Sequence, residues 1–393
     1  MRKEVLLTVF SLALALFGTE LALGRWFPQL TVQQVLKDRP AMYRSSDVLF
    51  MELLPHFQGT LRESEFETSI RVNALGYRQD EFKPHKGQGL RIVVVEDSFT
   101  FGYGVEEPDS YPRVIARQLA ERQVADVRLG NELPPVEVIN AGVPAWWTDA
   151  YYLYLKEYGL ALEPDLVLLG LFIGNDIDGP DARSARWPRV DAAGLPLQIG
   201  STDTQIENGR RVRVKRRSRW KIPLLRDSHV FQLLYTAQRN MRRALKPTIK
   251  ARSLYQPLYS PQTNAIVEKV AKLIGAMARL SQEHGARFAV VMLPERGQVS
   301  AASQAAYGEL DFDKPQRLFA EFFTQHNIAY LDLLPILRAA ADNTALYYQY
   351  DSHFSVAGNR FAGREIAKYL VASGLLSAPP SQAPEAIGRP VTP

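Results

Sequence analysis

The fold is decided by residues 90–102, which read LRIVVVEDSFTFG. The first six, Leu90–Val95, form a short run rich in β-branched residues, which is typical of a parallel strand buried on both faces. Glu96, Asp97 and Ser98 follow this run directly. Functional groups in open α/β sheets gather at the carboxyl ends of the strands, so Ser98 is a candidate functional residue.

Strands and helices alternate in the same way toward the C-terminus. Besides Leu90–Val95, strands are predicted over residues 136–139, 165–173, 287–293 and 328–331. Helices are predicted over residues 148–162, 314–325 and 355–370. Two more are predicted: one capped by Asp109 or Ser110 that ends near Arg122, and one that begins at Pro261 or Thr263 and ends at Glu283. This alternation predicts an α/β fold in which helices cover both faces of a five-stranded parallel sheet.

Four polar clusters at strand ends provide the residue types of acyl transfer. Ser98 is the candidate nucleophile, and a serine hydroxyl needs a base to remove its proton. His353 suits that task near pH 7, and Asp351 can hold the imidazole in the required tautomer. The backbone N–H groups of Ser98 and Gly142 and the side-chain amide of Asn175 are the candidate oxyanion hole.

These clusters together resemble the SGNH, or GDSL-like, serine hydrolases over residues 90–371. The matching blocks are Asp97-Ser98-Phe99-Thr100-Phe101-Gly102, then Gly142, then Gly174-Asn175-Asp176, and last Asp351 with His353. The stretch from Asn73 to Arg78 also resembles the lead-in of bacterial membrane-anchored members. The resemblance implies a flavodoxin-like three-layer fold and an enzyme that hydrolyses or transfers acyl esters of carbohydrate or lipid.

Glu96 is the one clear departure from the family pattern, which has glycine before Asp-Ser. Two consequences are open. If the backbone there needs a positive φ, a side chain strains the turn. If the backbone is ordinary, a carboxylate beside the oxyanion hole opposes the developing negative charge. Either effect predicts lower activity without loss of the fold.

The N-terminus predicts export or anchoring. Arg2 and Lys3 precede a predominantly apolar run that ends near Gly24 and is long enough to cross a bilayer. Residues 1–24 are therefore a signal anchor or a cleaved signal peptide. The anchor alternative makes the membrane a partner through this helix and places the catalytic domain in the periplasm or at the cell exterior, with the helix in the inner membrane.

The remaining chain divides by its patterning. Residues 25–89 form an N-terminal lead-in without βαβ rhythm, 90–371 the catalytic domain, 177–260 an insertion or cap, and 372–393 a disordered Pro-rich tail. Within the cap, the run from Arg210 to Lys221 is densely basic. It is a solvated face or a contact with an anionic surface.

Composition excludes several classes of site. The 393 residues include no cysteine, so the chain has no disulfide, thiolate metal site or cysteine nucleophile. Neither a metal site nor a cofactor is expected. The net charge of +5 comes without a nucleic-acid motif, and we expect no nucleic-acid partner. Trp146 and Trp147 follow Gly142 closely and are candidates for lining an acyl or sugar pocket, with core packing as the alternative.

Three functions are compatible with these residues. The leading interpretation is an extracytoplasmic serine esterase or deacetylase acting on an acyl-ester substrate. An O-acyltransferase acting on an extracellular polysaccharide uses the same serine and histidine. A non-catalytic binding or assembly module that retains the fold is the third, and Glu96 is the feature that favours it.

Overall fold

The computed structural model describes residues 2–29, 40–128, 134–179, 185–213, 227–245, 249, 252–340 and 342–376. In chain order the strands are β1 (Tyr43–Ser46), β2 (Phe50–Leu53), β3 (Gln58–Arg62), β4 (Glu67–Arg71), β5 (Leu90–Val95), β6 (Val136–Asn140), β7 (Leu166–Phe172), β8 (Ala185–Val190), β9 (Pro196–Ser201), β10 (Thr204–Glu207), β11 (Arg210–Arg213), β12 (Arg287–Leu293) and β13 (Ala329–Asp332).

The α-helices lie between these strands and at both ends. They are α1 (Arg2–Trp26), α2 (Ser98–Phe101), α3 (Tyr111–Arg128), α4 (Thr148–Tyr154), α5 (His229–Leu245), α6 (Pro261–Glu283), α7 (Arg296–Val299), α8 (Ala301–Ala306), α9 (Lys314–Gln325), α10 (Leu333–Arg338) and α11 (Val356–Ala372). A π-helical turn, Leu155–Gly159, and a 3-10 turn, Leu160–Leu162, continue α4.

Five strands form one parallel sheet in the order β13-β12-β7-β5-β6. Numbered along the chain, this is the flavodoxin-like order 2-1-3-4-5, in which the strand order reverses beside the first strand. The carboxyl ends of β5, β6 and β7 therefore meet at one edge. The predicted α/β class and five-stranded parallel sheet are confirmed.

Helices cover both faces of this sheet because the side chains of its strands alternate. Ile92 and Val94 of β5 belong to the apolar cluster that includes residues of α3, α10 and α11. Val93 and Val95 belong to the other cluster, with residues of α4, α6 and α9. Strands buried on both faces have no polar side, which explains why β5 is apolar apart from Arg91.

The predicted helix over 148–162 differs from the structure. The α-helix ends at Tyr154 and the chain continues in π and 3-10 turns. Glu163 then adopts a left-handed conformation with φ 56°. The residue before a proline is disfavoured in the right-handed α region, so Pro164 sets the end of the segment.

Outside the sheet, the described strands pair locally as antiparallel hairpins: β1 with β2, β3 with β4, β8 with β9, and β10 with β11. None of these eight described strands joins the central sheet. The domain boundaries proposed from the sequence stay predictions. Residues 214–226, which hold most of the basic run, and residues 377–393 of the tail lie outside the described residues.

Helix α1 is the N-terminal apolar helix that the sequence predicts. Its segment Lys3–Trp26 contains an 18-residue stretch with a mean hydropathy of 2.0 and is long and apolar enough to cross a membrane, judged by length and composition. Its apolar side chains are exposed: Leu7, Phe10 and Phe17 have exposed fractions of 71%, 66% and 62%. At 1.5 Å per residue, the helix is about 37 Å long.

Candidate active site

Ser98 begins helix α2, directly after β5 and Asp97. The buried guanidinium of Arg78 supports this turn by donating hydrogen bonds to the carbonyls of Phe101 (3.0 Å), Gly102 (2.7 Å) and Val105 (2.8 Å). Burial lowers the pKa of Arg78 to about 10, so the group keeps its charge at neutral pH. The sequence stretch from Asn73 to Arg78 thus ends in a residue that holds the nucleophile turn.

His353 lies against Ser98 at the same edge of the sheet. The Oγ atom of Ser98 is 2.7 Å from Nε2 of His353, and Nδ1 of His353 contacts Oδ1 of Asp351. If Nδ1 carries the proton donated to Asp351, Nε2 is left as an acceptor for the serine hydroxyl. The structure therefore brings together the three residues predicted to be catalytic.

Two aromatic rings hold the imidazole of His353. Its ring centre is 5.0 Å from that of Phe99 and 4.8 Å from that of Tyr103. Both residues come from the segment that follows Ser98, so the nucleophile turn also forms walls for the base. Side chains packed in this way limit the rotamers of a histidine and keep Nε2 near the hydroxyl.

Glu65 holds the loop that carries Asp351, and the sequence analysis did not identify it. The carboxylate of Glu65 accepts hydrogen bonds from the backbone N–H groups of Gln349 (2.7 Å), Tyr350 (2.7 Å) and Asp351 (2.6 Å). Glu65 lies in the turn between β3 and β4, within the lead-in. No spacing in the sequence links this turn to residues 284 or more positions away.

Asn175 lines the same cleft, but its side-chain amide is already engaged in a hydrogen bond. Its Nδ2 atom donates to Oδ2 of Asp97 at 3.0 Å. Oδ1 of Asp97 is 3.1 Å from Oγ of Ser98, which has one hydrogen for two acceptors. When Nε2 of His353 is the acceptor, the shorter contact of 2.7 Å takes that hydrogen. Asp97 thus links the nucleophile to the predicted oxyanion-hole amide.

Gly142 is close to the nucleophile turn, but its N–H group points elsewhere. That N–H donates to Oδ1 of Asn140 at 3.0 Å. A Cβ atom at Gly142 would lie 2.7 Å from the carbonyl carbon of Thr100, a distance that real Cβ atoms do not adopt. In this structure, the requirement for glycine comes from close packing of two backbone segments, and the predicted oxyanion donor is engaged with Asn140.

Glu96 is neither strained nor exposed. It is absent from the described residues with positive φ, so the left-handed conformation considered for this position is wrong. Its side chain is 0% exposed and accepts hydrogen bonds from the N–H groups of Phe99 (3.3 Å) and Thr100 (2.5 Å). Gly170 on β7 makes room for it, since a Cβ there would lie 2.9 Å from that of Glu96.

Glu96, Asp97 and Asp176 form a buried carboxyl cluster, with one oxygen from each within 4.8 Å of the others. Burial, and then the charge of Asp97, raise the pKa of Glu96 well above its usual value. The same causes raise the pKa of Asp176 well above its usual value, although Phe172 N–H and Tyr151 OH donate to it. The three carboxyl groups are as close together as the ligands of a cation. Protons shared between them and the hydrogen bonds from these donors account for that spacing.

Ser98 opens into a cleft of about 280 Å³. Its walls come from the lead-in, the sheet edge and the cap, and include Tyr43, Leu61, Ala145, Phe172, Arg210 and Arg211. The two arginines belong to β11 and bring positive charge into a cleft that also contains Asp97 and Asp351.

Trp146 and Trp147 do not line this cleft. They are 3% and 2% exposed and belong to the main apolar core, and Trp146 donates its indole N–H to the carbonyl of Met51 at 2.8 Å. Of the two alternatives, the structure favours core packing over a role in the Ser98 cleft, because the chain between Gly142 and α4 turns both rings inward. Pro144 and Ala145 of the same loop face the cleft instead.

Known proteins resemble this chain in two ways. Residues 255–389 match the family model described as "SGNH hydrolase-like domain, acetyltransferase AlgX". The matched segment contains Asp351 and His353 and does not reach Ser98. None of the curated proteins matches the chain.

Solved structures with similar folds are distant in sequence. They include a lipolytic protein of the G-D-S-L family from Desulfitobacterium hafniense DCB-2, with 16% identity, a TM-score of 0.37 and coverage of 71% of this chain and 99% of that one. The lipase/acylhydrolase from Enterococcus faecalis has 15% identity, a TM-score of 0.39 and coverage of 72% and 96%. The acetyl xylan esterase AlAXEase has 14% identity, a TM-score of 0.40 and coverage of 72% and 100%. Sequence identities and TM-scores this low do not indicate the activity of the chain, which depends on its own residues. The family match over residues 255–389 agrees with the last of the four motif blocks, and this part of the chain is similar to the SGNH hydrolase-like domains.

Proposed function

We propose that the protein is a serine esterase that forms an acyl-enzyme on Ser98. The observation that supports this most directly is the pair of contacts made by His353: Nε2 lies 2.7 Å from Oγ of Ser98, and Nδ1 contacts Asp351. A hydroxyl, an imidazole and a carboxylate in this order are the groups needed to activate a nucleophile at neutral pH.

The proposed reaction has two halves. His353 takes the proton of Ser98 as Oγ attacks the acyl carbon, and the imidazolium then gives that proton to the leaving alcohol. Water repeats the sequence on the acyl-enzyme and releases the acid, with His353 again as base and then acid. Asp351 stabilises the imidazolium in both halves.

The oxyanion of the tetrahedral intermediate needs hydrogen-bond donors, and two of the three candidate donors are engaged elsewhere in this structure. The Ser98 N–H lies at the start of α2. The Asn175 amide donates to Asp97, and the Gly142 N–H donates to Asn140. Under this proposal the bound substrate displaces at least the Asn175 contact. One oxyanion donor contributes about 3–4 kcal/mol to lowering a barrier, which exceeds the net value of about 1.5–3 kcal/mol for a hydrogen bond to a charged group.

An experiment that tests esterase activity compares the parent protein with Ser98→Ala on a panel of p-nitrophenyl acyl esters. We expect turnover by the parent and only the background rate with the variant, with equal melting temperatures as evidence of folding. Ser281→Ala is a matched control, since that hydroxyl is buried in α6 and donates to the Met277 carbonyl of the same helix. Equal turnover by folded Ser98→Ala would contradict the proposal.

O-acyl transfer is the second candidate, and the family match favours it because that family is described by the acetyltransferase AlgX. Transfer differs only in the acceptor: a sugar hydroxyl, in place of water, attacks the acyl-enzyme. Adding a polysaccharide acceptor to an acyl donor separates the two. New ester on the polymer that requires Ser98 supports transfer, while unchanged release of free acid supports hydrolysis.

A non-catalytic module is the third possibility, and the position of Glu96 weakens the reason for considering it. The side chain is accommodated by Gly170 and engaged by two N–H groups, and its raised pKa favours the neutral form. A neutral carboxyl adds no negative charge near the oxyanion. Absence of both turnover and acyl-enzyme in the folded protein would restore this alternative.

We also propose that α1 is retained as an anchor and that the domain faces the periplasm or cell exterior. The support is the apolar segment Lys3–Trp26 with its exposed side chains and the basic residues Arg2 and Lys3 before it. The mass of the protein extracted from membranes tests this directly. A mass that includes residues 1–24 supports an anchor, and a mass that lacks them identifies a cleaved signal peptide.

A further inference from the structure

We propose that helix α5, His229–Leu245, lies on the lipid surface beside the anchor helix α1 and inserts its apolar face into the bilayer interface. The inference rests on the proposed retention of α1. Helix α5 takes no part in the chemistry proposed for Ser98, and the inference gives this helix a location.

The first line of support is the connection between the two helices. The carboxylate of Glu20 in α1 accepts hydrogen bonds from Ser228 Oγ (2.8 Å), His229 N–H (2.6 Å) and Val230 N–H (3.0 Å). Free N–H groups at a helix start carry partial positive charge, which a carboxylate stabilises. This explains an acidic residue within an apolar helix and fixes the start of α5 to α1.

A second contact reinforces this connection. A Cβ atom at Gly24 would lie 3.1 Å from Cδ2 of His229, so α1 passes close to the imidazole ring where it has no side chain. The backbone N–H of Gln29 donates to Nδ1 of His229 at 3.0 Å. The first residues of α5 thus contact both the end of α1 and the segment that follows α1.

The position of Glu20 along α1 sets the level of α5 relative to the bilayer. Six residues separate Glu20 from Trp26, which corresponds to about 9 Å along the helix. Trp26 and Phe27 are 68% and 70% exposed. Aromatic residues of this kind concentrate at the boundary between lipid and water. Helix α5 therefore starts near that boundary.

Helix α5 has the pattern of an interfacial helix. Leu233, Leu234 and Met241 are 41%, 64% and 63% exposed, and at 100° per residue they fall within one arc of the helix. The opposite side carries Phe231 and Tyr235, whose rings stack 6.0 Å apart. The sequence of the helix has three arginines and no acidic residue, which suits anionic lipid.

Continuity with α1 identifies lipid as the occupant of this face. The apolar side chains of α1 are exposed along its length, and α5 is joined to it at Glu20. An apolar face that begins at the boundary of the bilayer has lipid as its nearest apolar partner. A protein partner would have to cover the same face while leaving room for the lipid around α1.

The test is quenching of a fluorophore by lipids that carry nitroxide groups. The chain has no cysteine, so Leu234→Cys, Met241→Cys and Thr236→Cys each create a unique labelling site in the full protein, which is then placed in bilayers of phosphatidylcholine and phosphatidylglycerol. Thr236 is the matched control, two residues and about 200° from Leu234. We expect at least about twofold stronger quenching at positions 234 and 241 than at 236, since such helices bury one face about 5–10 Å deep.

Two outcomes contradict the inference in different ways. Equal and weak quenching at all three positions, with strong quenching at Leu12→Cys in α1, would show that the anchor is in the bilayer and α5 is not. Weak quenching at Leu12→Cys as well would contradict the anchor and, with it, this inference. Ester hydrolysis does not enter the readout, so failure of the Ser98 chemistry is detected separately.

Discussion

Replacing Glu96 by glycine and by glutamine tests how the protein accommodates the residue that departs from the family pattern. Glu96→Gly removes the acceptors of two buried N–H groups, those of Phe99 and Thr100. An unsatisfied buried N–H costs about 1–3 kcal/mol, and each lost buried methylene costs about 0.8 kcal/mol. We expect the glycine variant to lose about 4 kcal/mol of unfolding free energy. At about 2 °C per kcal/mol for a domain of this size, its melting temperature falls by about 8 °C.

Glu96→Gln is expected to behave differently because it resembles the protonated acid. Its carbonyl oxygen can accept the Thr100 N–H while its amide donates to Asp97. The folded-state pKa of Glu96 is raised well above its usual value by burial. The folded protein therefore holds a proton that the unfolded chain releases above about pH 4.3, and the unfolding free energy of the parent falls as pH rises through that window. Glutamine has no such proton, so its relative stability increases with pH.

Thermal unfolding of the parent and both variants between about pH 5 and pH 8 measures these effects. We expect Glu96→Gln to stay within about 1 kcal/mol of the parent at the acidic end and to become the more stable protein at the alkaline end. A higher melting temperature for Glu96→Gly would show backbone strain and refute the reasoning. So would an equal loss of stability in both variants at every pH.

Three further results follow from the site. Ser98→Ala and His353→Ala should each abolish ester turnover, and the double variant should have a kcat no lower than that of either single variant. Losses of kcat that add in the double variant would show that the two residues act independently. Glu65→Ala should lower kcat more than it raises KM, because Glu65 holds the loop that carries Asp351 and His353. Glu65→Gln should retain part of the kcat lost in Glu65→Ala. If both variants lower stability equally and leave kcat unchanged, Glu65 has only a structural role. Gly142→Ala should unfold at a temperature several degrees lower, because its Cβ meets the backbone of Phe101, and an unchanged melting curve would contradict that packing.

The agreement between sequence and structure is closest where one local pattern determines the result. The strands Leu90–Val95 and Arg287–Leu293 have the predicted bounds, and the helix Pro261–Glu283 begins at the earlier of its two predicted starts. These two strands are apolar apart from Arg91 and Arg287. Ser260 caps α6 by accepting the N–H of Thr263, with Pro261 in the first turn. Topology places Ser98 at the carboxyl end of β5, whereas His353 lies in the loop before α11 and reaches Ser98 through the way that loop is held.

The differences arise where the partner is distant in the chain. Trp146 and Trp147 follow the Gly142 block, but whether an indole faces a cleft or the core depends on which way the loop turns. The role of Glu65 depends on three N–H groups of a loop almost three hundred residues away. Glu20 is unfavourable in an apolar helix until α5 begins beside it. No local periodicity encodes these contacts.

The central claim is that Ser98 is a nucleophile activated by His353, and covalent labelling with a fluorophosphonate measures it most directly. The probe reacts with an activated serine and needs no knowledge of the natural ester. We predict a single adduct that maps to the peptide containing Ser98, is absent from Ser98→Ala, and forms much more slowly in His353→Ala. No adduct on the folded parent protein, or an unchanged adduct in Ser98→Ala, would contradict the account.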